Sequence, residues 1–142
     1  MASTRFIVSV HLLCALGLLE GRPVRSDAIA ASVNTNPAVV RRLFGQLGDA
    51  GLVRAQLGQG GGFLLAKPTD GITLWSVFQA VEDTTLFPPH RGEPSVDCPI
   101  GRHILAALAD PLARVERAFA AELARVTIAD IVRDIRDRSA IV

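Results

Sequence analysis

Ser26-Asp27-Ala28-Ile29-Ala30-Ala31-Ser32-Val33-Asn34-Thr35-Asn36-Pro37-Ala38-Val39-Val40-Arg41-Arg42-Leu43-Phe44-Gly45-Gln46-Leu47-Gly48-Asp49-Ala50-Gly51 reads as two short helices around a tight polar turn. In the first, Ser26 or Asp27 is the expected cap, and Ile29, Ala30 and Val33 fall on one face. Asn34-Thr35-Asn36 breaks it. Pro37, permitted in a first helical turn, opens a second helix in which Val40, Leu43, Phe44 and Leu47 recur at three- and four-residue spacing, and Gly51 closes it. Two helices so joined make a helix-turn-helix, whose second helix offers its first residues to base edges in a major groove. Arg41 and Arg42 lie on or beside its outward face. Taken alone, the segment is equally a plain helical hairpin with solvated arginines.

The next residues favour the first reading. Leu52 to Gln56 is an extended run, Leu57-Gly58-Gln59-Gly60-Gly61-Gly62 is a flexible turn, and Phe63 to Ala66 is a second apolar run before Lys67-Pro68. A hairpin directly after a helix-turn-helix makes a winged helix. Its glycine tip brings backbone N–H groups near phosphates because no side chains intervene. A nucleotide-binding loop is excluded: the segment lacks the Gly-Lys-Ser/Thr ending of a P-loop, does not fit the Rossmann glycine spacing, and leads into a strand.

Before this region, Phe6 to Leu19 is largely apolar, and Ala15-Leu16-Gly17 resembles a signal-peptidase site. Ser9 and His11 inside the run, and a length too short for a bilayer, point instead to a buried helix capped by Ser3 or Thr4 and ended by Gly21 and Pro23; no secretory leader is expected. After the hairpin, Thr73 caps a helix through Glu82, and the stretch from Asp83 to Asp97, with Pro88, Pro89, Gly92 and Pro94, is irregular. A long helix then starts near Pro99. Ile104, Leu105, Leu108, Leu112, Val115, Phe119, Leu123 and Val126 form an apolar stripe continuing to Thr127, and about 27 residues at 1.5 Å each span roughly 40 Å. One small domain cannot cover that length, so a second subunit is the economical cover, against the alternative of a stripe packed within one subunit. Pro111 is expected to kink the helix or break it after Ala109. Thr127 and Asp130 have the spacing of a capping box for a last helix carrying Ile128, Ile131, Val132 and Ile135.

With 142 residues, the chain is too short for a large multidomain enzyme. Its 49% apolar and 20% charged residues are those of a chain that buries a core. Two cysteines, Cys14 and Cys98, are too few for a disulfide scaffold or a self-contained tetrahedral zinc site, so no metal is expected and a cytoplasmic, reducing location fits. No tyrosine, one tryptophan and six phenylalanines argue against a stacking platform for single strands. The formal charge of +1 conceals an asymmetry: residues 1–70 carry seven basic and four acidic side chains, and residues 71–142 eight and ten. A basic head, 1–70, on an acidic assembly tail, 71–142, is the expected organisation, mostly α with a small β-hairpin wing.

Ile29-Ala30, Leu43 through Leu47, Ala50-Gly51-Leu52-Val53, Gly58, Gly60-Gly61-Gly62-Phe63, Ile72-Thr73-Leu74 and Ala80-Val81-Glu82 together resemble the Rrf2 family of winged-helix transcriptional regulators, which includes iron-sulfur cluster regulators. The resemblance covers nearly the whole chain. It implies a homodimer on a near-palindromic double-stranded operator, with the helix from Asn36 in the major groove and the wing over the minor groove; the expected role is that of a repressor, with an activator left open. The expected DNA-contacting set is Arg5, Ser26, Thr35, Asn36, Ala38, Arg41, Arg42, Gln59, Gly60 and Gly61; the expected dimer interface, from the apolar stripe, is Ile104, Leu108, Leu112, Val115 and Phe119. Members often place an arginine just before the first wing glycine, where this chain has Leu57, so minor-groove readout there is not expected. Cluster-binding members use three cysteines in the loop before the long helix; between Glu82 and His103 this chain has Cys98 alone, so no iron-sulfur cofactor is expected.

Cys98 is the one candidate for chemistry. At a helix start, with Arg102 and His103 about a turn away, it has the setting of a redox-responsive thiol, opposed by Asp97; the alternative is a residue beside a cap with no role. A nucleophilic enzyme built on Cys98 and His103 lacks an oriented third group and an oxyanion loop, so no enzyme and no membrane partner are expected. A winged-helix interaction module with weak or lost DNA binding remains the alternative to a regulator.

Overall fold

The computed structural model describes residues 3–140. In order, it consists of α1 (Arg5–Leu18), α2 (Ser26–Val33), α3 (Pro37–Asp49), β1 (Val53–Gln56), β2 (Gly62–Leu65), a 3-10 turn (Thr69–Gly71), α4 (Leu74–Val81), α5 (Pro99–Ala124) and α6 (Ile128–Ala140). This is the winged helix-turn-helix with a long helix after it.

The core is one cluster. From α1 come Leu12, Leu13, Cys14 and Leu16; from α2, Ile29 and Ala30; from α3, Val40, Leu43, Phe44 and Leu47. Ile72, Val77, Val81, Ile128 and Val132 belong to the same cluster, so the core runs across residue 70. Each fully buried aliphatic or Phe side chain contributes about 1.5 to 3 kcal/mol of transfer free energy.

Local rules explain most helix ends. Asn36 caps α3, its Oδ1 accepting from the Ala38 N–H at 2.7 Å, with Pro37 in the first turn. At the other end Gly51 takes φ +77°, which a residue with a Cβ adopts only under strain. There the Leu52 N–H reaches the Leu47 carbonyl at 2.9 Å and the Gly51 N–H the Gly48 carbonyl at 2.9 Å, a Schellman closure. Thr73 and Ser76 form a reciprocal capping box on α4, both bonds 3.1 Å. Thr127 and Asp130 do the same for α6, at 2.9 and 3.1 Å.

Other ends differ from the sequence reading. Ser26 and Asp27 lie inside α2, whose cap position is Arg25; Asp27 Oδ1 accepts from the Ala28 N–H at 3.0 Å. The cause is upstream: Val24 pairs with Phe63, their N–H and carbonyl groups exchanging bonds of 3.0 and 2.8 Å, which holds the chain extended as far as Arg25. The start of α1 is as expected in position: Thr4 occupies the cap, though without a side-chain bond, and Ser3 Oγ accepts from the Arg5 N–H at 3.1 Å.

The hairpin pairs Val53 with Leu65 through Gln56 with Gly62 in antiparallel register, and the Val24 bridge adds a one-residue third strand. Gly62 is required there, because a Cβ would come within 2.6 Å of the Val24 carbonyl oxygen. The tail is stitched similarly: Leu74 N–H donates to the Val126 carbonyl at 2.9 Å and Ile128 N–H to the Ile72 carbonyl at 2.8 Å.

The long helix α5 has no buried residue. It continues through Pro111, contrary to the expected break. Proline removes one helical donor, but Ala107, whose carbonyl loses that partner, is solvent-exposed, where an unpaired carbonyl costs far less than in a core. Phe119, expected in the interface, is half-buried, its ring packing edge-on against Phe78 at 5.0 Å and Trp75 at 6.3 Å.

Asp130 supplies a pH-dependent contribution. Bonds from the Thr127 backbone N–H and hydroxyl hold its carboxyl below the ordinary carboxylate range. A lowered folded-state value gives stability that is present above the unfolded value and lost as pH falls through the folded one. Asp130→Ala should therefore lower the melting temperature at neutral pH, and the gap to wild type should close on acidification through and below the carboxylate range. Thermal melts by circular dichroism across pH 2 to 7 check this; a gap independent of pH would remove the charged cap as its cause.

Candidate nucleic-acid interface

The buried spacing of α3 leaves Ala38, Arg41, Arg42 and Gly45 exposed on the opposite side. The rotation of the helix is set in part by Phe44, which stacks on Phe63 of the wing with ring centroids 4.2 Å apart and planes 14° apart. One aromatic pair thus fixes the cationic face of α3 relative to the hairpin.

A cleft of about 360 Å³ runs between them, lined among others by Arg25, Ser26 and Asp27 of the α2 entry, Arg41 of α3, and Gly58 and Gly61 of the wing. Arg25 Nε lies 3.4 Å from Asp27 Oδ1, both side chains largely in solvent. Of the expected DNA-contacting residues, Ser26, Arg41 and Gly61 line this cleft, with Gly61 buried at its base. Asn36, Ala38 and Arg42 are exposed along the start of α3, Thr35 is half-buried in the turn, and Gln59 and Gly60 are exposed at the wing tip. Arg5 stands apart: its Nη2 pairs with Glu82 Oε2 at 3.3 Å, where α1 meets the end of α4. Leu57 is 89% exposed where the wing begins its turn. Arg25 was not in the expected set. Its signal is positional, an arginine immediately before the first motif helix, and it acquires meaning only through the Val24 to Phe63 bridge.

This geometry defines a winged helix-turn-helix of the DNA-binding regulator class. A family model described as "Rrf2: Iron-dependent Transcriptional regulator" matches residues 2–134, and the chain belongs to that family. Its sequence is 36% identical over 133 residues to a Bacillus subtilis (strain 168) protein named as the HTH-type transcriptional regulator YwnA, covering 93% of this chain and 97% of that one. A solved structure described as a DNA binding protein is 33% identical, with TM-score 0.70, over 89% of this chain and 97% of that chain. The fold is also that of T. potens IscR, with TM-score 0.70 at 21% identity over 95% and 88% of the two chains. CymR, the global cysteine regulator of B. subtilis, gives 0.69 at 21% identity over 94% and 96%. The chain is therefore a transcriptional regulator with a DNA-binding fold, in a family whose members are not enzymes. Among the described residues no helix is long and apolar enough to cross a membrane.

Iron dependence in the family description calls for a donor set, and the residues present do not fit one. Among the described residues no three His, Cys, Asp or Glu side chains gather as a metal site. Cys98 is exposed at the cap position of α5, whereas Cys14 is buried in the α1 core. Burial pushes the Cys14 thiol up to about 11, away from the thiolate a cluster needs. Arg102, expected beside Cys98, donates its Nε–H to the Val96 carbonyl at 2.9 Å.

The two thiols should therefore differ sharply in reactivity. In the folded protein at pH 8, iodoacetamide should label Cys98 first and leave Cys14 protected until the chain unfolds, because attack requires an accessible thiolate. Peptide mass spectrometry over time reads this; equal labelling rates would mean that α1 opens freely.

Proposed function

We propose that the protein is a homodimeric, sequence-specific DNA-binding repressor that works in the cytoplasm without an iron-sulfur cluster. The observation that carries the reading is the exposed Ala38, Arg41, Arg42 and Gly45 face of α3, held at a fixed angle to the wing by the Phe44 to Phe63 stack. A helix entering the major groove presents such a face to base edges, and arginine donates two parallel bonds to guanine O6 and N7. In this reading Asn36 and Thr35 at the α3 entry, Ser26 at the α2 start and the exposed Gln59 and Gly60 of the hairpin contact the sugar-phosphate backbone, with Gly61 buried behind them. A near-palindromic operator follows from two identical heads related by a two-fold axis.

The tail supports the dimer. Leu105 is 48%, Leu108 39% and Val115 48% exposed on a helix none of whose residues is fully buried. Ile104, Leu108 and Leu112 line a cleft of about 500 Å³ against Phe87 to His90, continuous with that face. For Cys98, exposure at the amino-terminal end of this helix is the property that supports a redox role.

Genomic fragments retained by the purified protein, once sequenced, should share an inverted repeat, and Arg41→Ala should weaken binding to it by about 1 to 3 kcal/mol while relaxing preference at one base pair per half-site. Retention of fragments without a common sequence would favour an interaction module that has lost specific DNA binding.

Val115→Glu tests assembly with little risk to the subunit, since Val115 is already half in solvent. Sedimentation velocity at micromolar concentration should show a wild-type dimer and a monomeric, still helical variant, because the interface would enclose an unpaired carboxylate. A wild-type monomer would overturn the dimeric reading.

A further inference from the structure

We propose that Arg25 is a phosphate-contacting residue that anchors one strand of the operator backbone in the cleft between the α2 entry and the wing, with Asp27 as its resting partner. The inference rests on the DNA-binding reading and adds to it a contact outside the helix-turn-helix and wing-tip residues.

Three observations converge on Arg25. Its backbone is fixed, because Val24 is bridged to Phe63 by two hydrogen bonds and α2 starts at the next residue, so the side chain projects from a rigid corner. It lines the same cleft as Arg41, whose helix carries the base-reading face. The wing offers no competing cation there: Leu57 stands at the turn, and the remaining cleft residues from the hairpin are Gln56, Gly58, Gly61, Gly62 and Phe63. A strand running past the edge of the groove that α3 enters thus meets Arg25 on one wall.

Asp27 is the group that opposes an anion in this cleft. Its ion pair with Arg25 joins side chains 64% and 72% exposed, a setting in which such pairs add little to stability and are easily exchanged. A phosphodiester offers the guanidinium two oxygens in the planar geometry it favours, better than the single 3.4 Å contact with Asp27 Oδ1. The carboxylate is then left facing the phosphate. Arginine and aspartate consequently have opposite predicted signs: losing Arg25 weakens DNA binding, and neutralising Asp27 strengthens it.

The test uses the full-length protein and a duplex selected by wild type from genomic fragments, with dissociation constants measured from 50 to 300 mM salt by fluorescence anisotropy. Arg25→Ala should weaken binding roughly ten-fold at low salt. It should also reduce the slope of log K against log salt by about 0.9 per bound head, about 1.8 for a dimer, with preference among single-base operator variants unchanged. Asp27→Asn should tighten binding, and Arg25→Lys should recover much of the salt slope. Melting temperatures of all three variants near wild type establish that folding is intact.

An Arg25→Ala slope and affinity equal to wild type would overturn the proposal, as would changed base preference, which would make Arg25 a base reader. Failure of the wild-type protein to select any duplex is a different result and would count against the DNA-binding reading itself.

Discussion

Phe44 stacked on Phe63 is the contact on which the DNA-facing geometry depends. Phe44 is 1% exposed on the inner side of α3, and Phe63 comes from β2, so one ring pair joins the recognition helix to the wing. An offset stack of this kind adds about 0.5 to 1.5 kcal/mol beyond area burial, and it also defines an angle. Phe63 is held from its other side through its backbone, which pairs with Val24, and that pairing places the start of α2. Helix, wing and α2 entry are therefore joined through Phe63, by its ring on one side and its backbone on the other. Gly62 is the permissive element, since a side chain there would collide with the Val24 carbonyl and separate the two strands.

A second linkage joins head and tail. Ile72 is fully buried, and the carbonyl that it contributes receives the Ile128 N–H, while Thr73 caps α4 and bridges to Thr127, which caps α6. Adjacent residues thus serve two helices that meet far apart in sequence. On the inside, α6 lies along α1 through Ile128 and Val132, and α1 packs against every other helix of the head. The long helix α5 instead meets the rest of the chain chiefly through α4, which packs on both α1 and α3, so α4 is the packed element between α5 and α3.

Legibility followed the range of the interaction. The α3 periodicity, Asn36 with Pro37, the Gly51 closure and both capping boxes are patterns within a few residues, and each was readable because propensity and packing agree there. The wing was readable from its glycines. The Val24 bridge was not: one residue pairing with another 39 positions away leaves no periodic trace, and without it Ser26 or Asp27 reads as the cap. Arg25 escaped the site for the same reason. Arg102 stands one turn from Cys98 as the spacing predicts, but spacing says nothing of the Val96 carbonyl to which its Nε–H donates. Phe119 sits in a stripe that sequence treats as uniform, although its ring turns to Trp75 and Phe78.

The same stripe explains how α5 stays helical through Pro111. Eight alanines in its 26 residues supply intrinsic propensity, against a proline cost of about 3 kcal/mol and a smaller one for Gly101. The two halves are supported differently. After Pro111, Phe119 is locked into the aromatic group with Trp75 and Phe78, and Leu123 is half-buried. Before it, Ile100 is 72% exposed, and the packing of this half within the subunit is the shallow apolar cleft against Phe87 to His90. The half with least support from its own chain is thus the half that begins at Cys98 and shows the most exposed aliphatic surface. Under the dimeric reading, covering that surface and holding the Pro99 to Pro111 turns helical are one energetic event, because an unpacked helix of this length carrying a proline is only marginally stable in water. Assembly and order in α5 are then coupled, and a signal that altered the start of the helix would act on the dimer before it acted on DNA.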